Sequence, residues 1–322
     1  MQIRQALETA AKNLKINNIK NSHLEAEILL AFILKKPREF VLTYPEKPLT
    51  KNQISNIQYL ISKRQKGIPI AYLIGQKQFY GLNFCVNKNV LIPRPETELM
   101  VEETLKHATD NMQHATRNKE PASSAGRQTT IIDIGTGSGC IIITLTKLLN
   151  QYTRLSRLCE QDEQVISNIR YLATDISRPA LTVARQNARL HKIDKKITFL
   201  HGNLLTPIIK PNYLKNPKNR VIITANLPYL TPGQIKNSPT IKYEPRLALS
   251  AGADGLKYYR QLIKQIKKLH SISPAPFLLF FEINPKQTKK IKLIIKKYLP
   301  LAKIQTKKDL ADRNRLVIVK QK

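Results

Sequence analysis

Residues 130–134, Thr-Ile-Ile-Asp-Ile, form a short apolar run that ends beside a carboxylate. Gly135-Thr136-Gly137-Ser138-Gly139 follows, and residues 140–149 are apolar again. The first run reads as a buried strand and the last as an apolar helix, so the loop must turn the chain from one to the other. Three of the chain's eleven glycines fall within these five residues, which lets backbone approach a ligand closely, beside the amide donors of a helix start. The loop is GxGxG and lacks the last spacing of GxGxxG, which weakens a dinucleotide reading. A tight strand-to-helix turn without a ligand would use glycine too.

The strands that follow sharpen this reading. Residues 169–174 predict a second strand ending in Asp175, where a carboxylate can accept hydrogen bonds from both ribose hydroxyls. A third strand, 197–200, runs into His201-Gly202-Asn203-Leu204. Asn203 is placed to face an adenine amino group with Leu204 beneath the ring, although an Asn after a strand is also an ordinary turn former. The fourth run, Val221-Ile222-Ile223-Thr224, leads into Ala225-Asn226-Leu227-Pro228-Tyr229. Here the Asn226 side chain and the next carbonyl can accept from one planar NH2 group, while Tyr229 offers a ring face. The same residues also fit a strand-terminating turn. Helices over 177–192, 256–269 and 285–298, a strand over 277–281 ending in Glu282, and strands near 302–306 and 316–319 continue the alternation. The pattern predicts an α/β fold with a doubly wound, Rossmann-like sheet. Asp133 is expected as a strand-end carboxylate bonded to loop amides, and Glu282 either supports the site or merely ends its strand.

The first seventy residues predict a small helical domain. Ile3, Leu7, Ala10, Leu14 and Ile16 recur at helical spacing; Leu24, Ile28, Leu29, Phe32 and Ile33 follow the cap candidates Asn21 and Ser22, with Glu25 three residues after Ser22. A short helix from Pro37 and one from Thr50 towards Gly67, with Ile54, Ile57, Leu60 and Ile61 inward, complete it. The period changes over 71–92, where Tyr80-Gly81 between Phe79 and Leu82 suggests a hairpin. Pro93 and Pro95 forbid helix until Glu96, after which Leu99, Val101, Leu105 and Met112 predict an amphipathic helix. Arg94, Glu96 and Glu98 are expected to shape a pocket or to face a helix dipole. Residues 107–127 and 150–168 read as polar loops, the second beginning as a helix end.

Three cysteines, Cys85, Cys140 and Cys159, lack the spacing of a disulfide framework or a zinc site. A reduced cytoplasmic setting fits them, and no apolar run is long enough to span a bilayer. The net charge of +32 would attract nucleic acid and other polyanions. Its lysines are spread over the whole chain, so a general compositional bias carries equal weight with a functional field.

The glycine loop, Asp175 and Asn226-Leu227-Pro228-Tyr229 together resemble a class I methyltransferase that uses S-adenosylmethionine and an amino-type acceptor. More narrowly, Leu91-Ile92-Pro93-Arg94-Pro95-Glu96-Thr97-Glu98, the Asn226 motif, Tyr243-Glu244-Pro245-Arg246-Leu247-Ala248-Leu249 and Gly252-Ala253-Asp254-Gly255-Leu256 resemble the peptide chain release factor N5-glutamine methyltransferases over nearly the whole chain. The resemblance implies a release-factor-docking domain at 1–70, a hairpin linker at 71–95 and a methyltransferase catalytic domain at 96–322. It implies S-adenosylmethionine held by Gly135, Thr136, Gly137, Ser138, Gly139, Asp175, Asn203, Leu204 and Asn226. It makes Asn226, Leu227, Pro228 and Tyr229 both the catalytic and the glutamine-binding group, with no metal. Peptide chain release factors are the implied partners, nucleic-acid affinity is incidental to charge, no membrane is involved, and a cytoplasmic monomer is expected.

That family usually carries Asn-Pro-Pro-Tyr, and Leu227 stands in place of the first Pro. Asn-Leu-Pro-Tyr is familiar from the rRNA adenine N6-dimethyltransferases, so N6-adenine methylation of rRNA or DNA is a second reading, and a non-catalytic basic binding protein that keeps the fold a third. The adenine family typically begins at its glycine motif, whereas about 130 residues precede it here. Leucine supplies a carbonyl as well as proline does, but it has a free φ and an extra N–H to satisfy.

Overall fold

The computed structural model describes residues 1–117, 128–158, 169–209, 214, 219–238, 241–272 and 275–321. They form two compact units: Met1–Gln76 with Val86–Lys88 and Ser238–Tyr243, and Lys77–Cys85 with Asn89–Asn237 and Glu244–Lys322. Among the described residues no helix is long and apolar enough to cross a membrane.

The first unit holds α1 (Ile3–Ile16), α2 (Ser22–Leu34), α3 (Arg38–Thr43), α4 (Lys51–Gln65) and α5 (Ile70–Ile74). Ile3, Ala10 and Leu14 of α1 and Leu29 and Leu30 of α2 close on Ile57, Leu60 and Ile61 of α4 in one apolar core. Thr50 begins α4 in a reciprocal capping box with Gln53. The start predicted for α2 differs in detail. Asn21 is the N-cap without a side-chain bond, and Glu25 pairs instead with Arg64, Nε to Oε2 2.5 Å and Nη2 to Oε1 3.1 Å. A two-pronged guanidinium–carboxylate pair is worth more than a cap bond. Of the apolar positions named in α2, Leu29 is buried, but Leu24 and Phe32 are 39% and 42% exposed: residues 28–34 are apolar on every side, and Ala26, Leu29, Leu30 and Ala31 take the inner face. The change of period expected from residue 71 begins only after α5, at Gln76.

In the second unit β1 (Gln76–Phe79) and β2 (Leu82–Cys85) form a hairpin. Tyr80 and Gly81 both have positive φ, 49° and 72°, the primed turn whose twist suits a two-residue connection. Phe79 and Phe84 meet edge to face at 6.2 Å. After a 3-10 turn at Pro95–Thr97, α6 (Glu98–Arg117) carries Met100, Val101 and Ala108 inward. It passes Met112, the last position of the predicted amphipathic helix, and continues to Arg117, although local polarity from residue 107 predicts a loop. His107 packs edge-on against Phe280 at 5.6 Å, so tertiary contact overrides weak local polarity. The rest of that predicted loop, 118–127, and residues 159–168 of the second lie outside the described residues.

The sheet then builds by alternation: β3 (Thr129–Ile134), α7 (Cys140–Leu158), β4 (Ile169–Asp175), α8 (Arg178–Leu190), β5 (Ile197–His201), α9 (Thr206–Ile209), β6 (Arg220–Ala225), α10 (Pro232–Lys236), α11 (Lys257–Ile272), β7 (Phe277–Glu282), α12 (Thr288–Tyr298), β8 (Lys303–Lys308) and β9 (Asn314–Gln321). Strand order is β5-β4-β3-β6-β7-β9-β8. The first five in that order run parallel, and β9 pairs antiparallel with both β7 and β8. Successive residues face opposite layers. Ile132, Val221 and Ile223 join Leu262, Ile263 and Ile266 of α11 and Ile291 and Ile295 of α12. Ile131, Ile222 and Phe280 join α6 and α7. This is the doubly wound sheet that the alternation predicts. From β3 the chain winds outward through β4 and β5 and then returns to β6 on the other side of β3. A crevice opens at such a switch, outside the carboxyl ends of the strands.

Candidate active site

Register sets the site. Ile134 pairs with Thr174 on one side and Ala225 on the other, and Ala225 pairs with Phe281. Each strand therefore delivers its next residue at one level: Gly135 after β3, Asp175 at the end of β4, Asn226 after β6 and Glu282 at the end of β7. The strand-ending residues that the sequence spreads from Gly135 to Glu282 meet at one edge of the sheet.

Both amide hydrogens of Asn226 are held from behind. Its Nδ2 donates to Thr97 Oγ1 at 3.0 Å and to Glu282 Oε2 at 3.0 Å, and the Thr97 hydroxyl donates to the same Glu282 oxygen at 2.7 Å. This triangle fixes which way the amide points, because a carboxylate only accepts. Asn226 Oδ1 is left on the other side. Among the described residues, neither that oxygen nor the carbonyl of Leu227 accepts a hydrogen bond. Glu282 is buried, and its carboxyl is pushed up to about 7, first by desolvation and against the pull of the Thr97 hydroxyl and Arg315. Thr97 comes from the turn that precedes α6, 129 residues from Asn226.

The residues after Asn226 are held as firmly. The Leu227 N–H donates to the Tyr259 hydroxyl at 3.3 Å, and the Gln287 amide donates to the Tyr229 carbonyl at 3.0 Å. Leu230 continues the pairing beyond β6, its N–H donating to the Leu249 carbonyl at 3.0 Å and its carbonyl accepting from Ala251 at 2.9 Å. The Leu227 side chain is buried over Gly135, where a Cβ would lie 3.1 Å from Leu227 Cδ2. Gly135 has φ +70°, a conformation and a clearance that only glycine combines.

The glycine loop is tied to its neighbours. Gly137 N–H donates to Asp175 Oδ2 at 2.9 Å, and Ser177 N–H to Asp175 Oδ1 at 2.8 Å. Burial raises the Asp175 carboxyl against these two bonds. Asp133, expected to accept from loop amides, accepts chiefly from two hydroxyls, Thr136 at 2.6 Å and Thr224 at 2.8 Å, because Thr224 stands beside it in register. Burial pushes it up to about 6.

The cleft in front is lined by Gly135, Thr136, Gly137, Ser138, Asp175, Asn203, Leu204, Asn226, Leu227 and Pro228 among the residues expected from sequence. Two expected residues are not on its wall. Gly139 (φ +82°) lies where a Cβ would come within 2.8 Å of Ile143 and 3.3 Å of Ala184, so it brings α7 against α8. Tyr229 packs, partly buried, against the core beneath the sheet end. Arg94 lines the cleft, but Glu96 and Glu98 do not; Glu98 accepts from the Tyr80 N–H at 2.7 Å instead. Arg94 pairs with buried Glu244, which also accepts from the Ile92 N–H at 3.1 Å, so two separate sequence blocks close one wall. Cys140 also lines the cleft, its thiol pushed up to about 12 by burial, and it packs there as a neutral group. Sequence reasoning does not single out Thr97, Tyr259 or Gln287. Thr97 lies inside the Arg-Pro-Glu-Thr-Glu block, while nothing local marks the other two.

Residues 5–75 match the family model described as the PrmC N-terminal domain. A release factor glutamine methyltransferase of Dictyoglomus turgidum is 32% identical over 318 residues, covering 98% of each chain. One of Bacillus cereus is 30% identical over 323 residues, again 98% of each. A bifunctional methyltransferase of Rickettsia felis is 34% identical over 280 residues, 83% of this chain and 49% of that one. The chain thus spans about half the length of the bifunctional relatives it matches.

Proposed function

Because the chain belongs to the release factor glutamine methyltransferase family, we propose that it methylates the side-chain amide nitrogen of a glutamine in peptide chain release factors, with S-adenosylmethionine as donor. One observation carries the reading. Two oxygens at the end of β6, Asn226 Oδ1 and the Leu227 carbonyl, are left without donors among the described residues, while the Asn226 amide nitrogen, the Leu227 N–H and the Tyr229 carbonyl are bonded.

The residues that would hold the cofactor fit its chemistry. Asp175 uses one lone pair of each oxygen on a backbone amide and keeps others for ribose hydroxyls. Leu204 and Ile176 offer apolar walls for a base, beside the side chain of Asn203. The loop from Gly135 to Ser138 gives backbone contact. When bound, S-adenosylmethionine supplies an electrophilic methyl group on a sulfonium.

A glutamine amide nitrogen is a poor nucleophile because its lone pair is delocalised into its own carbonyl. Asn226 Oδ1 and the Leu227 carbonyl each accept one of its two hydrogens, which concentrates electron density on nitrogen and fixes its direction. Thr97 and Glu282 keep Asn226 from turning its NH2 towards that hydrogen-bond donor, an orientation that would repel it. Preorganised dipoles of this kind need no reorganisation during the reaction. Pro228, on the cleft wall, packs beside the substrate side chain. No general base is required before transfer, since the proton can leave afterwards.

The test is to incubate the protein with labelled S-adenosylmethionine and either a release factor or rRNA. The proposal expects label on the release factor. Label on RNA would assign an adenine acceptor, and label on neither would leave a binding protein.

A further inference from the structure

The Leu227 N–H is a group that proline at this place would not have. It emerges just past the last paired row of β6, where the parallel ladder with β7 has ended, on a residue that is buried. An unpaired amide there would cost stability and would let the Asn226–Leu227 peptide unit rotate. Tyr259, the third residue of α11, is fully buried and reaches this spot from beneath the sheet. Its hydroxyl accepts the Leu227 N–H at 3.3 Å and donates to the Glu282 carbonyl. The Ala225 carbonyl lies at 3.5 Å. One phenol oxygen therefore bridges the ends of β6 and β7 where the backbone ladder stops. Its ring is locked by an edge-to-face contact with Phe281 at 5.5 Å.

We propose that Tyr259 is a positioning residue for methyl transfer: by taking the Leu227 N–H it fixes the plane of the Asn226–Leu227 peptide unit, and because the residue before Pro228 is held to extended ψ, the Leu227 carbonyl one unit on is aimed with it at the substrate amide. A proline ring would fix φ at this residue; the hydrogen bond instead holds the peptide unit on the N-terminal side of that rotation. It also joins the two halves of the clamp, because Glu282, whose carbonyl accepts from Tyr259, is the residue whose carboxylate orients Asn226. Tyr259 does not line the cleft and acts only through Leu227 and Glu282. The inference rests on the proposed glutamine chemistry for its effect on turnover, but the hydrogen bond itself does not.

The experiment is a double-mutant cycle between Tyr259→Phe and Leu227→Pro. Tyr259→Phe keeps the ring and removes the acceptor. In the Leu227 background it lowers kcat by about 10–100-fold, the size of loss expected from a misplaced reacting group, while the Kd for S-adenosylmethionine stays within about threefold. In the Leu227→Pro background, whatever its own activity, adding Tyr259→Phe costs several-fold less, because no N–H is left to satisfy. Equal losses in both backgrounds, or no loss in the first, overturn the proposal. Two readouts need no activity: the melting temperatures of the four proteins should be non-additive in the same sense, and the Leu227 amide proton should exchange slowly in the unmodified protein. If the unmodified protein transfers no methyl group to a release factor, the functional reading fails while these two still decide the hydrogen bond. A Leu227 amide that exchanges as fast as an exposed one contradicts the proposal even if Tyr259→Phe does not fold.

Discussion

Asn226 is bonded behind and open in front, so replacing it separates catalysis from binding. Asn226→Ala is expected to lower kcat by roughly 10²–10³-fold, the usual cost of one preorganised hydrogen-bonding group. Calorimetry should find the Kd for S-adenosylmethionine within about threefold; unchanged turnover would remove Asn226 from the chemistry. Glu282 adds a pH dependence. Its carboxyl is raised by burial to about 7, and only its ionised form is a pure acceptor for Thr97 and Asn226. Turnover should therefore rise as pH climbs through about 7. Glu282→Gln should be roughly tenfold slower, since its amide can donate towards Asn226 and upset the triangle, and its profile should be flat across that interval. A variant profile that keeps the same rise would assign the titration elsewhere. The clamp is legible in the sequence as Asn226 and the following carbonyl, because a polar residue after a buried run marks a strand end. Its supports are not. Thr97 and Glu282 stand 129 and 56 residues from Asn226; the register of the sheet brings Glu282 there, and the turn before α6 brings Thr97.

Strand ends also carry a stability cost that pH exposes. The folded protein holds a proton on Glu282 up to about 7 and on Asp133 up to about 6, against ordinary values of 4.5 and 3.8. The folded state thus binds more protons than the unfolded chain between those limits. Stability from these groups is present at low pH and falls as pH rises from about 4 to 7. The loss is about 1.4 kcal/mol for every tenfold difference in proton affinity between the folded and unfolded chain. Denaturant titrations of the unmodified protein and Glu282→Gln should show the variant gaining relative stability over that interval; parallel curves would mean that Glu282 keeps an ordinary pKa. The α7–α8 contact gives a second test. Gly139→Ala places a Cβ 3.3 Å from Ala184 of α8 and 2.8 Å from Ile143 of α7 at φ +82°, and denaturant titration should show a loss of about 1–3 kcal/mol from steric strain of this kind. Elements of this sort are legible where apolar runs are long, as in β3, β6 and β7. The end of α6 beyond Met112 is not, because those residues are locally polar, and α2, apolar on every side over residues 28–34, does not reveal its inner face.

The chain as a whole joins a helical unit to a doubly wound sheet, and its family membership rests on similarity along nearly all of its length. The alternation of strands and helices makes the sheet legible, since few topologies satisfy it. The charge of +32 is ambiguous, because spread lysines mark no single face. If it is compositional, RNA binding should fall by about 10³-fold or more between roughly 50 and 200 mM salt, as phosphate contacts do, while methylation of a release factor changes far less. Parallel loss of both would tie the charge to substrate recognition. The most direct test of the central claim is to locate the transferred methyl group by fragmentation mass spectrometry of a release factor treated with the protein and S-adenosylmethionine. A single methyl on the side-chain nitrogen of one glutamine, lost in Asn226→Ala, is the expected result; a methyl on any other atom, or one that Asn226→Ala still delivers at full rate, would overturn the glutamine chemistry.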